Sequence, residues 1–125
     1  MGKPKLLGIR YARLAQPVKD TWEVEAKGAD PDVKKAALAK LKSLKTLEAR
    51  ITTNVLTAGD TVQHNHWPAC LAKDYGAVPN LFRFELADRW RGLYALIGEP
   101  GGVRAVILYL WDHATYDKMH GYAKK

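Results

Sequence analysis

The sequence predicts an α+β domain in which an N-terminal strand and helices pack on an antiparallel β-sheet. Three observations carry this expectation. Apolar residues recur at helical spacing between Val33 and Val55, and three strand-like runs crowd into residues 81–111. The chain has 125 residues, a length that suits one core, so residues 1–125 are expected to form a single domain.

Each element follows from local signals. Residues 5–11 (KLLGIRY) read as a short strand. Pro17 suits the first turn of a helix, and VKDTWEVEAK supplies one or two helical turns before Gly28. Asp30 is placed to cap the next helix, with Pro31 at its first position, where the missing N–H is no loss. Val33, Ala37, Leu41, Leu44, Leu47, Ile51 and Val55 then form one apolar stripe. A single helix of that length is uncommon, so a break is expected near residues 43–46, with Gly59 as the final stop.

Residues 60–79 read as connecting structure, punctuated by Pro68, Gly76 and Pro79. In residues 81–87, Phe82, Phe84 and Leu86 alternate with Arg83 and Glu85, giving a strand with one apolar and one charged face. Residues 90–97 are strongly apolar, and alternation turns Arg91 away from Trp90 and Tyr94. Glu-Pro-Gly-Gly at 99–102 signals a hairpin turn. VRAVILYLW at 103–111 is almost continuously apolar, as a central strand covered on both faces must be. The tail, 112–125, is polar.

Composition narrows the function classes. Hydrophobic content of 47% with four tryptophans belongs to a globular chain. No apolar run approaches the roughly 18 residues that a membrane span requires. The opening MGKPKLLGIRYAR lacks the apolar region and cleavage site of a signal peptide, and Leu6 breaks the myristoylation pattern. Cys70 is the single cysteine, so no internal disulfide is possible and a reducing cytoplasm is the expected setting. Twenty Lys and Arg against 13 Asp and Glu leave a net charge of +7, which attracts polyanionic or acidic partners. Lys34, Lys35, Lys40, Lys42 and Lys45 lie mostly off the apolar stripe. They form either a solvated helix face or a basic ridge beside RNA.

Several motifs are decoys. His64-Asn65-His66 spells the letters of the HNH nucleases, but that chemistry needs the residues spread across a metal-binding unit. His64, His66 and Cys70 are zinc-competent ligands without a fourth nearby or a Cys-x-x-Cys knuckle. Glycine-rich phosphate loops and a Gly-x-Ser-x-Gly elbow are missing. The expectation is therefore no metal and no cofactor. Any catalysis would rest on Arg, Lys, His and Tyr, and residues 81–122 hold such a set: Arg83, Glu85, Arg91, His113, Tyr116, Lys118 and Tyr122. A base, an acid and charge-stabilising arginines are what phosphodiester cleavage by a neighbouring 2′-hydroxyl needs. The alternative is that Arg83 and Glu85 are a surface pair and His113 merely ends a strand.

At this point a resemblance enters. Trp67-Pro68, Lys73-Asp74-Tyr75-Gly76, Asn80-Leu81-Phe82-Arg83, Trp90-Arg91-x-Leu93-Tyr94 and Asp112-His113-x-x-Tyr116-Asp117-Lys118-x-x-Gly121-Tyr122 together resemble the RelE/ParE toxin superfamily, nearest to its archaeal-type RelE-like branch. The resemblance spans about residues 67–122. It implies a small RelE-like fold and the toxin of a type II toxin–antitoxin system. RelE-type members cut mRNA in the ribosomal A site without metal, inhibit translation, and form hetero-oligomers with a cognate antitoxin; ParE-type members poison gyrase. By position, Arg91 would contact the scissile phosphate, with Arg83 contributing from the preceding strand. His113 and Tyr116 would complete the catalytic set with Glu85 as a general base. Lys118, Tyr122, Lys40, Lys42 and Lys45 would contact RNA. Glu85 stands where such enzymes often carry a second lysine, and Asp112-His113 stand where an arginine is usual.

Overall fold

The computed structural model describes residues 4–119. It is α+β, with four helices packed on a five-stranded sheet. The chain runs β1 (Leu6–Tyr11), α1 (Gln16–Glu25), α2 (Pro31–Thr53), β2 (Asp60–Thr61), α3 (Cys70–Tyr75), β3 (Phe82–Glu85), β4 (Trp90–Glu99), β5 (Gly102–Asp112) and α4 (His113–Met119). Strand order is β1-β5-β4-β3-β2. The most apolar run, β5, is an interior strand, as its composition requires.

Three features differ from expectation. The run β2-β3-β4-β5 is antiparallel, but β1 joins β5 in parallel, so the sheet is mixed. Helix α2 is continuous over 23 residues, with no break at 43–46. The polar residues there are satisfied within the helix: Ser43 Oγ donates to Lys40 O at 2.8 Å, and Thr46 Oγ1 donates to Lys42 O at 3.2 Å. Ser43 also accepts from the backbone N–H of Ala87 at 3.1 Å, which ties α2 to the turn between β3 and β4. The supposed connecting segment, finally, contributes an edge strand (β2) and a short helix (α3).

The local signals elsewhere do what their chemistry suggests. Asp30 caps α2 by accepting from the N–H groups of Asp32 and Val33 at 3.0 and 3.2 Å. Pro100-Gly101 turns the β4–β5 hairpin with Gly101 at φ +92°, a value that suits the third residue of a type II turn. Among the described residues no helix is long and apolar enough to cross a membrane.

Two apolar clusters divide at the sheet. One packs Trp22, Ala37, Leu44, Leu47 and Ile51 of the helices against Phe82, Phe84, Tyr94, Leu96, Ile107 and Leu110. The other lies on the opposite face, where Leu71 of α3 and Tyr116 of α4 meet Leu81, Leu93, Ala95, Val106, Leu108 and Tyr109. Gly92 on β4 makes the first cluster possible. A Cβ there would fall 2.1 Å from the Phe84 ring.

The alternation of β5 is broken once. Tyr94 pairs with Ile107 and Leu93 with Tyr109, leaving Leu108 as an extra residue. This bulge lets Leu108 and Tyr109 both enter the second cluster, and returns Leu110 to the first.

Candidate functional site

The charged face of β3 and β4 is the face turned away from α1 and α2. Arg83 pairs across the strands with Leu93, and Glu85 with Arg91. Side chains directly opposite share a face. Leu93 is in the second cluster, so Arg83, Glu85 and Arg91 stand on that side of the sheet.

Helix α4 brings Tyr116 onto the same face, where it is 1% exposed. The helix starts directly after β5. The Asp112 carboxylate accepts from the Thr115 N–H at 2.8 Å, and the Thr115 hydrogen bonds hold the Asp112 carboxyl below its ordinary range. Fixed in this way, Tyr116 interacts with both arginines. The Arg91 guanidinium carbon lies 5.0 Å from the centre of its ring. A side-chain hydrogen bond to Tyr116 is the main reason the Arg83 guanidinium is held above its ordinary pKa, with Asp60 a smaller contributor. Arg83 Nη2 donates to Asp60 Oδ2 at 3.5 Å, while its Nε is buried with no hydrogen-bond partner among the described residues. Arg91 Nη2 lies 4.0 Å from Glu85 Oε2, a long contact to a carboxylate that is 72% exposed.

The structure therefore brings together Arg83, Glu85, Arg91 and Tyr116. His113 sits one turn before Tyr116, on the first turn of α4, and its Nε2 is 3.2 Å from Asp117 Oδ2. Lys118 is exposed near the end of that helix. Tyr122 lies outside the described residues.

The lysines of α2 separate from this group. Their helix packs on the opposite face of the sheet, so Lys42 and Lys45 are exposed far from the arginine face in fold terms. Lys40 needs a correction. It is 7% exposed, and its ammonium lies 5.1 Å from the Trp22 ring centre and 4.9 Å from that of Trp90. A four-residue step from Ala37 would continue the stripe through Leu41 alone. The real helix buries the neighbouring position as well, because two tryptophan faces accept a cation there. Lys40 is a packing residue and not part of a basic ridge.

Two residues at the site escaped the sequence reading. Asp60 lies in a two-residue strand too short to leave any periodic signal. Trp111 stands directly across from Arg91, stacked on Tyr109 at 4.2 Å between ring centres and edge-on to Tyr116 at 6.5 Å. Counting back from the hairpin turn would set Leu110 across from Arg91. The bulge at Leu108 moves the register by one residue and puts the tryptophan there instead.

The decoy ligands are dispersed. His64 packs against Trp67 with ring centres 4.5 Å apart and the planes tilted by 40°. The Cys70 thiol donates to the Tyr109 hydroxyl at 3.6 Å, and burial pushes it above its ordinary pKa. Among the described residues no group of three or more His, Cys, Asp and Glu is set to hold a metal ion.

Chemically, the face offers two guanidinium groups in contact with one phenol, with an exposed carboxylate at one edge. Paired arginines of this kind bind phosphate oxygens through charge-assisted hydrogen bonds. Neither protein-family models nor curated proteins give any match to this chain.

Proposed function

We propose that the chain is a RelE-type toxin, a metal-independent endoribonuclease that cuts mRNA on the ribosome and is neutralised by a cognate antitoxin. The observation that carries this reading is the convergence of Arg83 and Arg91 on Tyr116, beside Glu85, on the face of the sheet left open by α1 and α2. A phosphodiester seated on the two guanidinium groups would have its developing negative charge stabilised there. Glu85 takes the 2′-hydroxyl proton, and the 2′-oxygen attacks phosphorus. The bond to the 5′-oxygen breaks, leaving a cyclic 2′,3′-phosphate, and the departing oxygen receives a proton from His113. Arg91 binds the scissile phosphate in this scheme. Tyr116, being buried, positions Arg83 and Arg91.

A second reading has one observation in its favour. Arg91 is already opposite Glu85 and stacked on Tyr116, which suits a RelE/ParE-fold protein that binds nucleic acid or gyrase without cutting RNA. Expression under tight control, with mRNA ends mapped on ribosomes beside an Arg91→Ala control, separates the two. New ends that vanish with Arg91→Ala are expected. Growth arrest with intact mRNA and trapped gyrase–DNA complexes would overturn the nuclease.

A further inference from the structure

After β2 the chain builds a pocket on the same side of the sheet as the arginines. Asp60 pairs with Arg83, and the Val62 N–H donates to Leu81 O at 2.9 Å. Val62 and Leu81 both pack in the second cluster, so the segment leaves β2 on the arginine face. It then carries His64 and Trp67, whose Nε1 donates back to Val62 O at 2.9 Å. That bond fixes the indole against which the His64 ring packs. The two rings, with Pro68, Leu71 and the small side chains of Ala72 and Ala77, wall a pocket of about 370 Å³. Among the described residues no Asp or Glu lines it. Asp74, on the same short helix as Ala72, is engaged by the Tyr109 hydroxyl at 2.7 Å. Lys73, next in sequence to Ala72, is exposed and has no carboxylate at ion-pair distance among the described residues.

We infer that this pocket takes a nucleobase of a single-stranded RNA whose phosphates lie on Arg83 and Arg91. Unstacked bases are recognised by aromatic and histidine rings, and every base has a face to offer, so such a pocket adds affinity with little sequence preference. A lining without carboxylates spares the attached phosphates any like-charge repulsion. The reach is short: the four steps from Asp60 to His64 span at most about 14 Å, so Arg83 and the pocket can serve one short stretch of RNA. A partner protein's helix, about 10 Å across with its side chains, is too wide for a pocket of this volume. A second copy of this chain would set one net charge of +7 against another. The inference rests on the arginine face binding RNA, as in the proposed function, but not on that RNA being cut.

The test uses the full chain and a labelled, uncleavable 2′-O-methyl RNA of about eight nucleotides, with binding read by fluorescence anisotropy at low salt. A single abasic residue is walked along the oligonucleotide. One position should lose about tenfold in affinity, and the others much less. With the intact oligonucleotide, His64→Ala and the pocket-filling Ala72→Leu should each lose about tenfold. With the oligonucleotide abasic at the sensitive position, both variants should bind as the parent does, because the base they would meet is gone. His64 and Ala72 are exposed, so both variants should keep the parent's melting temperature. Arg91→Ala should weaken every oligonucleotide alike. Failure of the intact oligonucleotide to bind the parent overturns the inference. An abasic walk without a sensitive position, or one that the two variants do not share, overturns it even if the parent cuts mRNA on ribosomes. A shared position with mRNA left intact upholds it and removes the nuclease reading instead. Binding of N-acetyltryptophanamide that Ala72→Leu abolishes, with RNA binding unchanged, also overturns it and makes the pocket a peptide site.

Discussion

The two faces of the sheet use the same strands for opposite purposes. On the helix face, Phe82, Phe84, Tyr94 and Ile107 meet Trp22, Leu44, Leu47 and Ile51, and even the cation Lys40 is absorbed between two tryptophans. On the other face, the short α3 and α4 cover only part of the surface, and Arg83, Glu85 and Arg91 stand at the margin of the covered area. Burial explains nearly every residue of the first face. It does not explain two arginines around a buried phenol on the second, and that imbalance is why the second face is the functional candidate.

Substitutions can break this contrast, beginning with the largest expected effect. Leu44→Ala on the helix face removes a side chain that is 1% exposed and should cost about 2–5 kcal/mol in urea unfolding. Arg91→Ala on the other face should cost no more than about 1 kcal/mol, since it loses one long ion pair and one ring contact, both partly solvated. Equal losses at the two sites would mean that the arginine face is a second structural core.

Gly92→Ala tests the helix face from the backbone side. The new methyl group has no room beside Phe84, so a loss of about 1–3 kcal/mol is expected from chemical denaturation. Asp112→Ala tests how α4 is held, and should cost about 1 kcal/mol. The sign of its pH dependence follows from the lowered carboxyl. The Asp112 contribution is complete above the ordinary carboxylate range and disappears as pH falls through the lowered folded value. Acid titration followed by tyrosine fluorescence should therefore show wild type losing this increment while Asp112→Ala does not. Because Asp112 is well exposed, the effect is modest.

The smallest effect lies in the turn that joins β3 and β4. Asp88 and Arg89 both take left-handed backbone angles, with φ of 59° and 62°. A two-residue hairpin turn of that hand favours glycine at its second position. Arg89→Gly should raise stability by about 0.5 kcal/mol, relief of strain being partly offset by the added freedom of the unfolded chain. A fall in melting temperature would show that the Arg89 side chain contributes more than its backbone costs.

Much of this was legible in one dimension. Alternation separates Arg83 and Glu85 from Phe82 and Phe84, and Arg91 from Trp90 and Tyr94, so the charged face follows from the sequence alone. The cap at Asp30, the turn at Pro100-Gly101 and the central character of β5 rest on local rules that hold wherever those residues occur. Lys40 is buried against expectation because helical spacing places a side chain on a side of a helix but does not say how wide the covered stripe is. The width depends on Trp22 and Trp90, which come from other elements.

The sequence by itself determined the two periodicities, and with them the α+β class and the sign of the charge each strand face would carry. Those depend on backbone geometry and neighbouring residues alone. Tertiary structure decided the parallel seating of β1, the unbroken course of α2, and which side chains meet Arg91. That last decision turns on Leu108: one extra residue in β5 moves the register and sets Trp111 across from Arg91. Such a bulge is stabilised by packing on both faces at once, and the helices that cover those faces come from distant parts of the chain.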